Sequence, residues 1–260
     1  MKLLLITLAA ATAFAQTKSL ACDSNNNQNR LATSCEMREQ TIAYGGKLTV
    51  DGGVNGGVSI KGWDSGSVLV RSKVETHGVD DATAKSLASQ VVVNWSAGQI
   101  SASGPEMSEN QSWSVSYEVF VPRSADLSLK THNGGISIAD VRGSIQFDAM
   151  NGGVNLKNLA GDVEGHTENG GLNVTLTGTH WDGAKLDART TNGGVNVSMP
   201  QNYSAHFETA TVNGHLNANF EMTVHGNISD LSKKLVTDLG SGGPTVHVET
   251  TNGGVNIKKI

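Results

Sequence analysis

Apolar and polar residues alternate along most of this chain, and Asn-Gly-Gly interrupts the alternation at intervals. From Tyr44 onward, Asn-Gly-Gly followed by apolar, polar, apolar occupies residues 55–60, 133–138, 151–156, 169–174, 192–197 and 252–257. In a seventh copy, Asn213-Gly214-His215-Leu216-Asn217-Ala218, the second glycine is lost. Successive asparagines from Asn133 are 18, 18, 23, 21 and 39 residues apart, the last interval being about two periods. Such spacing marks a solenoid or stacked array.

The repeat extends beyond the motif. After Asn133 the chain continues to Val141, Gly143 and Ile145, and after Asn151 to Leu159, Gly161 and Val163 at identical offsets. Each unit therefore reads as strand, tight turn, strand, second turn. Tight turns between strands call for positive φ, which Asn tolerates and Gly adopts freely. On that ground Asn133-Gly134, Asn151-Gly152, Asn169-Gly170, Asn192-Gly193 and Asn252-Gly253 are read as structural turns. Alternation then turns Val154 and Leu156 to one side and Asn155 to the other.

One unit has no core of its own, so units must stack, strand upon strand at about 4.8 Å. The expected fold is an all-β parallel β-solenoid. A meander would also use Asn-Gly turns, but stacked identical offsets favour the parallel coil. Propeller blades need about 40 residues each, more than this period allows. The last strand, 255–257, is expected to pair with the preceding coil and end the solenoid, with Lys258 and Lys259 guarding its edge.

Residues 41–260 form the expected solenoid domain, less regular over 68–129. There Asp80 and Asp81 can cap a short helix in which Ala84, Leu87, Ala88 and Val91 follow i, i+3, i+4, i+7 spacing. Strand patterns follow at 91–95, 99–103 and 114–121 around a polar loop, 104–111. A helix beside a solenoid commonly covers an end that would otherwise expose unpaired backbone.

Composition narrows the class. The chain has 260 residues, 31 of them glycine against 4 prolines, but the glycines lack a three-residue period, which excludes collagen. Lys and Arg number 19 against 24 Asp and Glu, so a strongly basic nucleic-acid footprint is missing. At the start, Lys2 precedes an apolar run over 3–13 that ends in Ala13-Phe14-Ala15. That is the pattern of a secretory signal over 1–15. The run is shorter than the about 20 apolar residues a membrane-spanning helix needs. The expected address is exported: periplasmic, outer-surface or extracellular. Residues 16–40 read as a polar leader holding the two cysteines, Cys22 and Cys35, which in an oxidising compartment most simply form one disulfide. Closing that loop is worth about 3 kcal/mol locally.

Residues 35–40, Cys-Glu-Met-Arg-Glu-Gln, with 55–64, Asn-Gly-Gly-Val-Ser-Ile-Lys-Gly-Trp-Asp, the later Asn-Gly-Gly copies and 238–244, Asp-Leu-Gly-Ser-Gly-Gly-Pro, carry a resemblance. They resemble the bacterial putative-adhesin family of exported β-strand-repeat proteins, over nearly the whole chain after the signal. The resemblance implies export and a right-handed β-helical fold. That family is a domain of unknown function with no agreed catalytic motif, so it supplies no functional residues.

Motifs for hydrolase, zinc, phosphate and dinucleotide chemistry are missing. The calcium-binding repeat is not matched, because Asn or Ser stands where its Asp ligand belongs. No cofactor or metal is expected. A polysaccharide-cleaving β-helix would gather acids across coils with a base to assist. The candidates are Asp148, Asp162, Glu164 and Glu168 with Arg142 and Arg189, yet Glu164's offset holds Gln146 one coil earlier, so no acidic column forms.

One column does form: Asn155, Asn173, Asn196, Asn217 and Asn256, with Ser59 and Ser137 in the same outward slot. Stacked amides can hydrogen-bond along such a row. The same row is also a flat polar face suited to glycans or other envelope polymers. The expected function is an exported, non-catalytic protein for adhesion or for binding the cell envelope. Its partner would be a cell-surface glycan or an envelope protein. The alternatives are a β-helical carbohydrate-active enzyme, and an envelope scaffold or signalling component working through protein contacts.

Overall fold

In a computed structural model, residues 20–22, 31–96, 98–218 and 233–260 are described. The signal segment, 1–15, and leader residues 16–19 and 23–30 lie outside them. The first irregular part holds β1 (Ala32–Ala43), β2 (Lys47–Asp51), β3 (Val58–Trp63), β4 (Ser67–Gly78), α1 (Asp81–Gln90), β5 (Val92–Ser96), β6 (Gln99–Ser103) and β7 (Ser112–Pro122). Regular coils follow as β8 (Asp126–Thr131), β9 (Ile136–Ala139), β10 (Arg142–Ala149), β11 (Val154–Lys157), β12 (Ala160–Asn169), β13 (Leu172–Thr175), β14 (Lys185–Asn192) and β15 (Val195–Met199). The last part is β16 (Ala205–Asn213), β17 (Leu216–Ala218), β18 (Lys234–Leu239), β19 (Thr245–Asn252) and β20 (Val255–Lys259).

These strands form two sheets. The first runs β1-β4-β7-β3-β9-β11-β13-β15-β20-β17, and the second β18-β16-β19-β14-β12-β10-β8-β2-β6-β5. Every Asn-Gly-Gly copy is the corner where a second-sheet strand passes into a first-sheet strand. Between the sheets, side chains of one offset stack: Ile136, Val154, Leu172, Val195 and Val255 from the first, Leu127, Ile145, Val163, Leu186 and Val246 from the second, all buried. Each such side chain is worth roughly 1.5–3 kcal/mol when taken from water. The fold is thus mostly β, with a stacked, solenoid-like core.

Three expectations need correction. First, the sheets are mixed. The repeat strands pair in parallel, but β1–β4, β4–β7, β5–β6 and β16–β18 pair antiparallel. These pairs lie toward the ends of the stack; β5 and β6 are joined by a short hairpin, whereas the other three pairs bring together strands that are not consecutive in the chain.

Second, the coils do not stack in chain order. The terminal strand β20 pairs in parallel with β15 on one side and β17 on the other, and β19 likewise lies between β14 and β16. The last coil is inserted between the coils of Asn192 and Asn213, so Lys258 and Lys259 guard no sheet edge.

Third, the Asn-Gly-Gly glycines do not take positive φ. The left-handed residues of the regular coils lie at the second turn, with φ of 61° at Asp140, 51° at Asn158 and 103° at Gly161. The first glycine of each copy is required by proximity instead. A Cβ on Gly134, Gly152, Gly170, Gly193 or Gly253 would come closer than 3.0 Å to the carbonyl oxygen of the same glycine one coil over.

Two polar columns hold this corner. The Asn133 Nδ2 donates to Asn55 Oδ1 at 3.1 Å, and Asn151, Asn169, Asn192, Asn252 and Asn213 each continue the ladder at 2.7–2.9 Å. Beneath it Thr131, Thr167, Thr190, Thr250 and Thr211 donate their hydroxyls to the carbonyl of the first glycine one coil away, at 2.6–2.8 Å. Ala149 interrupts that column.

Helix α1 begins where Asp80 accepts from the Thr83 backbone N–H at 2.8 Å. Its other end is held by Arg38, whose guanidinium donates to Ala88 O at 2.9 Å and Val91 O at 2.6 Å. A cation there also meets the negative end of the helix dipole. Ala84, Leu87 and Ala88 are buried, and the helix packs against β4 and β1. Cys22 and Cys35 are joined, with Cα atoms 5.8 Å apart, tying the leader to β1. No helix among the described residues is long and apolar enough to cross a membrane.

Candidate functional site

The outer face of the first sheet carries the row of predicted binding residues. Because side chains alternate along a strand, one outward position per coil falls in register: Ser59, Ser137, Asn155, Asn173, Asn196, Asn256 and Asn217. All five asparagines are exposed. Asn173 Nδ2 donates to Asn155 Oδ1 at 2.9 Å, Asn196 to Asn173 at 2.9 Å and Asn256 to Asn196 at 3.3 Å. Each amide within the row spends one donor and one acceptor along it and keeps the other N–H and a lone pair for solvent or a ligand. The row is a fixed array of neutral donors and acceptors.

Two strands from Asn155 the row reaches β3, where the same outward alternation brings Ser59, Lys61 and Trp63 to this face. Trp63 and Phe120 are half-buried neighbours, their ring centroids 5.8 Å apart and planes tilted by 42°. The Trp63 indole N–H donates to Ser67 O at 2.8 Å, which fixes the ring. Beside them Arg123 Nε donates to Asp64 Oδ1 at 2.6 Å, and that guanidinium holds the Asp64 carboxyl below its ordinary value.

The second sheet presents an unlike surface of interleaved charges. Lys185 Nζ donates to Glu164 at 2.7 Å, which raises the lysine above its ordinary value. Arg189 forks onto Asp187 at 2.9 Å, and Asp187 also meets His247 at 3.0 Å. Asp187 is held below the usual carboxylate range, first by Arg189 and then by His247. Arg142 pairs with Asp182, and His166 stands 3.9 Å from Asp148. On β16, His206 bridges Asp238 at 2.7 Å and Glu208 at 3.1 Å, and its pKa is raised, chiefly by Asp238.

Of the predicted acids, Glu164 shares a hollow of about 380 Å3 with the predicted base Arg189, beside His166 and Asp187, while Asp148, Asp162 and Glu168 are not in its lining. Glu164 is tied to Lys185 and Asp148 lies against His166, while Asp187, which the sequence did not single out, holds Arg189. Asp162 and Glu168 stand on the exposed face of β12. Among the described residues no three His, Cys, Asp or Glu side chains gather as metal ligands would.

Two features escaped the sequence reading. The corner asparagines were assigned to backbone conformation and instead form a second amide ladder. The Trp63–Phe120 pair was unmarked, although Trp63 shares the alternation of Ser59 and Lys61.

Stacked parallel strands with an amide row along one face and interleaved ion pairs along the other define an extended strand-repeat scaffold. The chain belongs to the Toastrack DUF4097 family, whose model matches residues 34–258. Similar solved structures include a candidate cell adhesion protein from Clostridium sporogenes, at 16% identity and a TM-score of 0.47, covering 87% of this chain and 100% of that one. A candidate adhesin from Bacteroides fragilis is 10% identical with a TM-score of 0.31, covering 86% and 97%. A candidate lipid binding protein from Parabacteroides distasonis is 11% identical with a TM-score of 0.27, covering 87% and 96%. No curated protein matches the chain.

Proposed function

We propose that this protein is an exported, non-catalytic adhesion or envelope-binding protein that engages an extended polymer along the outer face of its first sheet. The in-register amide row carries this reading. It repeats one neutral donor-acceptor unit from coil to coil at about 4.8 Å, and a polymer that meets several units at once gains affinity without any strong single contact. The interleaved ion pairs of the second sheet support a non-catalytic role, since catalytic acids need unlike environments and a shared substrate. The cysteine pair supports an oxidising address. We take the coil to be right-handed, the hand that parallel strand crossovers adopt in general.

The test compares attachment of the protein to whole cells and envelope polysaccharide for two variants. Truncating Asn173, Asn196 and Asn256 together to Ala is expected to weaken attachment about tenfold or more. Replacing Glu164 and Lys185 by Ala on the other sheet should leave it unchanged. Loss of attachment in the second variant alone would contradict the reading. So would depolymerisation of the polysaccharide that a Glu164→Gln variant abolishes.

A further inference from the structure

Where the amide row reaches β3, the outer face deepens into two adjoining hollows of about 540 and 520 Å3 that share Lys61 and Asp140. The first is floored by the row itself, including Ser137 and Asn155, and the second by Trp63 and Phe120. Both fall within the volume range of small-ligand sites.

The rings offer apolar surface. Because the Trp63 N–H is already committed to Ser67 O, what remains for a ligand there is the ring itself. The row a strand or two away offers hydroxyl and amide groups. A ligand meeting both needs an apolar patch and a polar edge on each unit, which is the make-up of a pyranose ring, with its C–H face and its hydroxyl rim.

Charge selects further. Two of the carboxylates lining these hollows are paired with a guanidinium, Asp64 with Arg123 at 2.6 Å and Glu118 with Arg71, while Asp140 accepts from the neutral Asn158 amide at 2.7 Å, which does not offset its charge. Lys61 and Lys157 line the same groove, and among the described residues neither has a carboxylate within 4.0 Å. Their register through Ala139 places them two strands apart on one outward column, about 9.6 Å at the strand spacing. Lys61 and Lys157 thus stand against the one carboxylate of Asp140, a positive balance among the groove's unpaired charges.

We infer that this groove is a subsite for an acidic polysaccharide, one sugar ring lying on Trp63 and Phe120 and the carboxylates of neighbouring units facing Lys61 and Lys157. The inference rests on the proposed binding role of the same face and names the chemical class of its ligand.

The full chain is titrated calorimetrically with oligogalacturonate, alginate and hyaluronan fragments and with the same fragments after carboxyl reduction. At least one acidic fragment is expected to bind, and its reduced form about tenfold more weakly. Trp63→Ala should weaken both forms by about tenfold or more, and Trp63→Phe should restore most of the loss. Lys61→Gln with Lys157→Gln should weaken only the acidic form and flatten its salt dependence. Binding of no acidic fragment, or affinity unchanged in both the Trp63→Ala and lysine variants, overturns the subsite.

Envelope attachment separates this outcome from failure of the broader reading. If attachment survives the Trp63 and lysine variants but is lost with the triple Asn variant, the subsite falls and the binding face stands. If none of the three changes attachment, both fall.

Discussion

A chain ending at Pro244 is expected to lose protection of β16 and β17 against limited proteolysis, while the coils from Asn133 to Asn192 stay protected. The reason is the inserted last coil. Deleting 245–260 removes β19 and β20 from between β14–β15 and β16–β17. It takes away Val246, Val248, Val255 and Ile257, each at most 1% exposed. At roughly 1.5–3 kcal/mol each, those four account for about 6–12 kcal/mol, comparable to the whole net stability of a domain. Phe207, fully buried in β16, faces Val246 in register and would be uncovered. Stacked repeats depend on nearest neighbours, so the damage should stop at the break. If β16 stayed as protected as in the full chain, it would have to pair with β14 directly, as in a coil wound in sequence order, and the insertion would be wrong.

The second large effect contrasts two adjacent glycines. Gly152→Ala should destabilise by about 2–4 kcal/mol, whereas Gly153→Ala should cost less than about 1 kcal/mol. Neither glycine takes positive φ. A methyl on Gly152 would meet the Gly134 carbonyl and the Gly135 nitrogen closer than 3.0 Å, and backbone one coil away cannot yield without moving the coil. A methyl on Gly153 would stand 3.4 Å from Gly171 O, an ordinary contact. Chemical denaturation of both variants reads the difference directly. Equal losses would show that conformation rather than stacking distance selects glycine at this corner.

The repeating unit was legible because its signals are local. Period-two alternation assigns an inward or outward direction to each residue without reference to the rest of the chain, which placed Asn155 to Asn256 on one outer row and Val154 and Leu156 in the core. The helix over 81–90 was legible for the same reason, from the Asp80 cap and the spacing of Ala84, Leu87 and Ala88. Coil order was not legible. Asn213 and Asn252 carry the same pattern, so either can stack on Asn192, and only contacts between distant segments decide. The antiparallel ends were missed because β4 and β7 lie outside the repeat and have no sister copy to align.

The role of the first glycine was misread because positive φ and close approach both select glycine. One clue was present. The copy at Asn213 replaces its second glycine with His215 but keeps Gly214, where a Cβ would collide with Gly253. The Trp63–Phe120 pair needed two elements, and half of it was within reach, since Trp63 follows Ser59 and Lys61 on one face. Phe120 could not be placed beside it without the β3–β7 register, Lys61 opposite Phe120.

The claim that the first sheet's outer face is the functional one is tested most directly by hydroxyl-radical footprinting of the protein bound to envelope polysaccharide. Trp63 and Phe120 report on the amide face, and His166 and His247 on the charged face. Binding is predicted to lower oxidation of Trp63 and Phe120 several-fold and to leave both histidines unchanged. Protection of His166 and His247 with Trp63 and Phe120 still open would contradict it.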